Sequence, residues 1–317
     1  MARVDAALGQ SSLAETRAKA RAIEMEELRQ VQEQLEQARL EPSSEGEGDY
    51  SDEYSDEEGD GEGEDSGEED SGEEESGAPE LSEEDEEVYA EAMGPGPDQV
   101  AEHAASFLVI TRKDIECFAP GTWLNDECVN FYMSLLNDRD KADADGDQQF
   151  PRCHFFNTFF HQKLTPGGGY EYKPISRWTR PKKLKKDIHE YCDRIVFPIH
   201  MPSHWTCLCV NVAEKRIEYY DSLAGSATHV TNAFKKWYID DVRDKKGQDV
   251  DFSKWSVVFP DCPQQRNGFD CGVFAIKFAE CLGRGGAMDF SQRDMPYFRK
   301  KLVCEIVQVE AAWDLYA

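Results

Sequence analysis

Four residue types that together perform acyl chemistry occur here at spacings that call for a joint reading: His204, Asp221, a glutamine at 264 or 265, and Cys271. Cys271 lies in QQRNGFDCGVFAIKFAE (Gln264–Glu280), where a polar, glycine-bearing loop gives way to an apolar run with helical patterning. Asn267-Gly268 is a turn dipeptide, and Asp270 is a good N-cap residue, so Cys271 is expected to open a helix. The unpaired amides and the dipole at that end favour an anion, which lowers the pKa of a thiol placed there. A thiolate nucleophile needs a base, usually histidine. His204 stands at the head of WTCLCVNV, and Asp221 closes the following β-rich run, RIEYYDS. VAEK between them reads as a hairpin turn. Paired strands would bring the carboxylate to the imidazole, to orient it and to stabilise its charge. The side-chain amide of Gln265, or of the adjacent Gln264, together with the Cys271 N–H would hold the oxyanion of a tetrahedral intermediate. Losing one such donor costs about 2.7–4 kcal/mol of barrier. A histidine at a strand end or a cysteine at a helix start is ordinary by itself; the combination points to covalent acyl transfer.

The elements that must position these groups are mixed. WLNDECVNFYMSLLNDR (Trp123–Arg139) is amphipathic, with Asn125 or Asp126 as the cap, and reads as a helix. RIVFPIH, WTCLCVNV, RIEYYDS and KWSVVFP read as strands, and residues 227–243, 272–282 and 294–315 as helices. Neighbouring strands joined by short turns fit an α+β layer better than a doubly wound sheet.

Charge divides the chain unevenly. Of 64 acidic residues, 26 fall between Glu41 and Glu91, where there is no Lys or Arg; they account for all but −3 of the net −29. A near-neutral remainder argues against broad nucleic-acid binding. Residues 41–78 are low in complexity and nearly devoid of apolar side chains, so disorder is expected. Ser55, Ser66, Ser71 and Ser82 each precede an acid by three residues, a pattern an acidophilic kinase would accept; a basic partner is the other candidate ligand of the tract. Residues 1–40 contain an Ala/Glu/Gln/Arg/Leu-rich run over 12–40, expected as a helix or short coiled coil. From 79 to 317 the texture is that of one globular domain. All ten cysteines follow residue 116. With no apolar leader at the start and no run of 18 apolar residues, free thiols in a reducing compartment and no membrane insertion are expected. Cys207 and Cys209 alternate as residues of a buried strand do, and no metal or cofactor is expected.

HWTCLCVNV, YYDSL and PQQRNGFDCGVF together resemble the His–Asp–Gln–Cys signature of the Ulp/SENP cysteine proteases, which process SUMO and remove it from proteins. LVITRKDIECF, TWLNDECVNFYMSLL, FFNTFFHQKL, ISRWTR and VFPIHMPSHW extend the resemblance over about 230 residues. It implies a papain-like α+β fold with the catalytic order permuted, His204, Asp221, Gln265, then Cys271. It selects Gln265, six residues before the cysteine, over Gln264. It makes Trp123 and Trp205 the walls of a slot that passes an extended Gly-Gly tail and little else. It assigns Asp126 and Phe159 to the surface that meets the modifier's body and His200 to a place near its tail, with Arg177 and Trp178 in a further matching block. Phe269 departs from the small or polar residue many relatives carry there, at the expected rim of the pocket.

The implied activity is cleavage after the C-terminal Gly-Gly of SUMO, maturing precursors and freeing target lysines. A protease for a Nedd-like modifier or ubiquitin, and a non-catalytic modifier-binding protein, are the competing readings. A nuclear location is implied by the resemblance; PKKLKK (Pro181–Lys186) reads equally as a nuclear signal, a solvated loop or a modifier-facing patch.

Overall fold

Alternate residues of the run from His204 to Asn211 face opposite ways, and both faces are apolar. Trp205, Cys207 and Cys209 point into one core, Leu208 and Val210 into another. A strand apolar on both sides belongs in the middle of a sheet with helices on each face. The computed structural model, which describes residues 80–312, has that arrangement. All described residues belong to the second of two units into which the chain divides, Gly72–Ala317. The helix expected over 12–40, the acidic tract of 41–78, and Ser55, Ser66 and Ser71 lie outside the described residues.

The order begins with α1 (Glu83–Met93), a hairpin of β1 (Gln99–His103) and β2 (Leu108–Thr111), α2 (Arg112–Ile115) and α3 (Asp126–Asp145). Next come β3 (Cys153–Phe155), α4 (Phe159–Leu164), α5 (Pro181–Leu184), α6 (Ile188–Tyr191), β4 (Arg194–Met201), β5 (His204–Asn211) and β6 (Arg216–Tyr220). The chain continues through α7 (Thr228–Lys246), β7 (Ser256–Val258), α8 (Cys271–Arg284) and α9 (Met295–Gln308). The main sheet runs β3-β4-β5-β6-β7; β4, β5 and β6 form an antiparallel meander, and β3 and β7 flank it in parallel. On one face α8 lies on β5, with α3 and α9 packed around it. On the other, Phe234 and Trp237 of α7 pack with Phe160 and Phe197.

Local chemistry explains where these elements differ from their expected bounds. Asn125, not Asp126, caps α3: its side chain accepts the Cys128 N–H at 2.9 Å. The strand expected over Lys254–Pro260 shrinks to Ser256–Val258, because Phe252–Lys254 coils into a 3-10 turn capped by Asp251. The last helix stops at Gln308, not 315, where Val309 turns left-handed at φ 57°. The end of the acidic run is structured. Ser82 caps α1 by accepting the Asp85 N–H, and Asp85 and Glu86 pair with Lys301 and Lys300 of α9, each at 2.7 Å.

Helix α8 is buried without interruption from Cys271 to Leu282, and two of those buried side chains are charged. Lys277 pairs with Glu280 one turn on. Tyr132 of α3 donates its hydroxyl to Glu280 and to Glu305 of α9, at 3.3 and 2.9 Å. Burial first, and the Glu280 charge second, push Glu305 up to about 7.

Candidate active site

The hairpin of β4 and β5 and the turn after β6 open at the same end of the sheet, toward the start of α8. His204 is the first residue of β5, opposite Met201, and Asp221 follows directly on β6. His204 Nε2 lies 2.7 Å from Asp221 Oδ1. The ring's other nitrogen is thereby left free of the carboxylate, and the Cys271 thiol stands close enough to the imidazole to help raise its pKa. Asp221 is itself held by backbone: its Oδ1 accepts the Leu223 N–H at 2.9 Å, and the Gly225 N–H adds a further bond. A Cβ at Gly225 would stand 2.4 Å from Asp221 Oδ2, so only glycine lets the turn close so tightly on the carboxylate.

The electrostatics follow from these contacts. Burial alone would pull His204 down; hydrogen bonds to Asp221 and Cys271 and the charges of both outweigh it and push the ring up to about 9. For Asp221, burial would raise the pKa, but the His204 hydrogen bond, the Leu223 N–H, the imidazolium charge and the Gly225 N–H hold it below the ordinary carboxylate value. A ring kept protonated by folding stabilises the fold fully below its ordinary value of 6.5, and that contribution is lost as pH rises through about 9. Melting temperatures of the native chain and of His204→Gln should therefore differ most near pH 6 and converge above pH 9 or so. A gap that widens with pH would contradict the ion pair.

Cys271 opens α8 and is only 2% exposed, so a substrate must reach it through a narrow opening. Its neighbour Gly272 is required by packing: a Cβ there would come 2.8 Å from Leu124 Cβ. Asp270 occupies the N-cap position but, contrary to expectation, makes no capping hydrogen bond. Its carboxylate is taken by the Arg299 guanidinium at 2.8 Å and by the Asn267 and Gln292 side-chain amides, each at 2.7 Å. Arg299, itself buried, also donates to the carbonyls of Cys117, Ala119, Thr122 and Phe269.

Of the two glutamines, Gln265 is buried, and Ser222 Oγ donates to its Oε1 at 2.6 Å. Its Nε2 donates to the Asn267 carbonyl at 2.5 Å. Gln264 is exposed, with its amide turned to the carbonyls of Asp221 and Cys262.

The two tryptophans bracket Leu124 differently. Trp205 is buried, donates its indole N–H to the Leu124 carbonyl at 3.1 Å, and stacks on His200 with centroids 4.1 Å apart. Trp123 is 53% exposed and donates to the Gly268 carbonyl on the loop that leads to Cys271, at 2.7 Å. Asp126, at the start of α3, lies 3.6 Å from His200 Nδ1. Phe159 opens α4, half-buried. Arg177 is exposed, and Trp178 packs edge-on against Phe160. Arg299, Ser222 and Gly272 leave no trace in the sequence, because their partners lie far along the chain or are backbone.

With that geometry in place, the chain can be set beside known proteins. The profile of the Ulp1 protease family, C-terminal catalytic domain, matches residues 122–309. The chain belongs to the Ulp1 protease family. It is 40% identical over 234 residues to ubiquitin-like-specific protease 1A of Arabidopsis thaliana, covering 73% of this chain and 46% of that one. It is 36% identical over 231 residues to human sentrin-specific protease 2, covering 72% and 37%. The chain thus spans about half the length, or less, of these curated relatives. The solved C-terminal Ulp1 protease domain in complex with Smt3, the yeast ortholog of SUMO, superposes with a TM-score of 0.60 at 26% identity, over 73% of this chain and 97% of that one. The match confirms the fold expected for this Ulp1-family domain, a mixed sheet with helices and a histidine strand that precedes the cysteine helix.

Proposed function

We propose that this chain is a thiol protease that cleaves after the C-terminal Gly-Gly of SUMO, both in precursors and in isopeptide links to lysine. One observation carries the reading: a thiol at the first position of a buried helix meets an imidazole that is fixed at 2.7 Å by a buried carboxylate. Family membership and the likeness to a SUMO-bound Ulp1 domain support the substrate.

The Cys271 thiolate attacks the carbonyl carbon of the terminal glycine. The Gln265 amide and the Cys271 N–H receive the negative oxygen. The C–N bond breaks as His204 delivers its proton to the departing amine, leaving a thioester. His204 then takes a proton from water, whose oxygen displaces the thiolate. Trp123 and Trp205 line the approach, Asp126 and Phe159 meet the modifier's body, and His200 lies near its tail.

SUMO, Nedd-like and ubiquitin probes ending in a propargylamide test the reading. The SUMO probe should label the full chain at Cys271 and the others far more slowly. Preferential labelling by another modifier would reassign the substrate, and no labelling by any of them would favour a binding protein.

A further inference from the structure

The turn that closes on Asp221 also holds the other half of the machinery. Asp221 and Ser222 are consecutive, and their side chains diverge at the end of β6. Asp221 reaches His204, while Ser222, 1% exposed, reaches Gln265 across 43 residues of chain. The backbone repeats the link: Gln265 N–H donates to the Ser222 carbonyl at 2.8 Å, and the Gln264 amide donates to the Asp221 carbonyl at 3.0 Å.

The carboxamide of Gln265 could sit either way round were it not for its neighbours. A carbonyl can only accept, so the Asn267 oxygen at 2.5 Å must face the NH2 group. The Gln265 oxygen then faces Ser222, whose hydroxyl donates at 2.6 Å. One amide hydrogen is spent on Asn267 and the second is left over. Ser222 is the only side chain that anchors the oxygen end among the described residues, and without it that buried oxygen would lose its donor.

We propose that Ser222 is a positioning residue for the oxyanion donor: it locks the Gln265 carboxamide so that its spare N–H stays aimed at the reacting carbonyl oxygen. The Asp221-Ser222 pair then sets base and oxyanion donor from a single turn. The inference rests on the proposed acyl-transfer function.

The test uses the full chain, a SUMO–fluorophore amide, and four proteins: native, Ser222→Ala, Gln265→Ala and the double variant. Removing one oxyanion donor lowers kcat by about 100- to 1,000-fold, so loosening it in Ser222→Ala should cost roughly 10- to 100-fold in kcat with KM nearly unchanged. In the Gln265→Ala background the same substitution should cost almost nothing, since the group it positions is gone. Iodoacetamide alkylation of Cys271, which needs the imidazole but no oxyanion donor, should keep its native rate and pH profile in Ser222→Ala. Ser222→Thr, which retains the hydroxyl, should recover part of kcat. An equal loss in both backgrounds, a parallel fall in alkylation, or an unchanged kcat in Ser222→Ala would each overturn the proposal. If the native chain itself fails to turn over the substrate, it is the proposed function that falls, so the two failures are distinguishable.

Discussion

Cys271→Ala should lower turnover of a SUMO–fluorophore amide by at least about 10,000-fold, with noncovalent binding of SUMO retained. The ten cysteines are all unpaired, so the prediction must discriminate among them. Burial pushes Cys207, Cys209 and Cys153 well above the ordinary thiol value, Cys192 to about 12 and Cys281 to about 11. These remain protonated at neutral pH and are poor nucleophiles. Cys117 is held below the ordinary value, first by a hydrogen bond with Cys128, but its other neighbours are Asn125, Arg299 and Asp114, with no imidazole to protonate a leaving amine. Activity remaining in Cys271→Ala and removed by adding Cys117→Ser would move the nucleophile. The assay is initial rate against enzyme concentration, with binding measured separately by calorimetry.

Arg299→Ala should be the most damaging substitution outside the reacting groups. It would leave the Asp270 carboxylate, 3% exposed, without its cation, and free four backbone carbonyls that the guanidinium now satisfies. Breaking a buried pair from one side costs about 3–5 kcal/mol. For a domain of this size that is on the order of 10 °C in melting temperature. Arg299→Lys should recover little, because one ammonium cannot serve carbonyls on two loops at once. Thermal denaturation checks both; a drop of only a degree or two would show that the loops before Trp123 and Cys271 do not depend on the guanidinium.

The sequence carried the features with short-range signatures. Alternation of buried-type residues marked β5, a turn dipeptide and an apolar run marked α8, and a capping residue at Asn125 or Asp126 marked the start of α3, with the structure choosing Asn125. Hairpin pairing, a near-neighbour relation, was enough to expect His204 beside Asp221. Interactions that close over long stretches of chain had no such trace. Arg299 reaches carbonyls about 180 residues away, and a carbonyl acceptor has no side-chain identity to read. Asp270 shows the same limit: its residue type fits a cap, but a guanidinium 29 residues away competes for the carboxylate and wins. Choosing Gln265 over Gln264 needed family resemblance, since spacing along a loop does not say which side chain turns inward. Ser222 reads as an ordinary turn residue because its partner, Gln265, lies 43 residues further along the chain.

The charged pair buried along α8 sets a limit on how the reactive sulfur can move. One residue of rotation is about 100° around an α-helix. A helix turned by that much about its own axis would carry the buried Glu280 carboxylate away from the Tyr132 hydroxyl and the Arg139 guanidinium, and Lys277 away from the Phe298 ring. The azimuth of Cys271 is thereby keyed from the opposite end of its own cylinder, and screw motions that a purely oily rod would tolerate are closed to it.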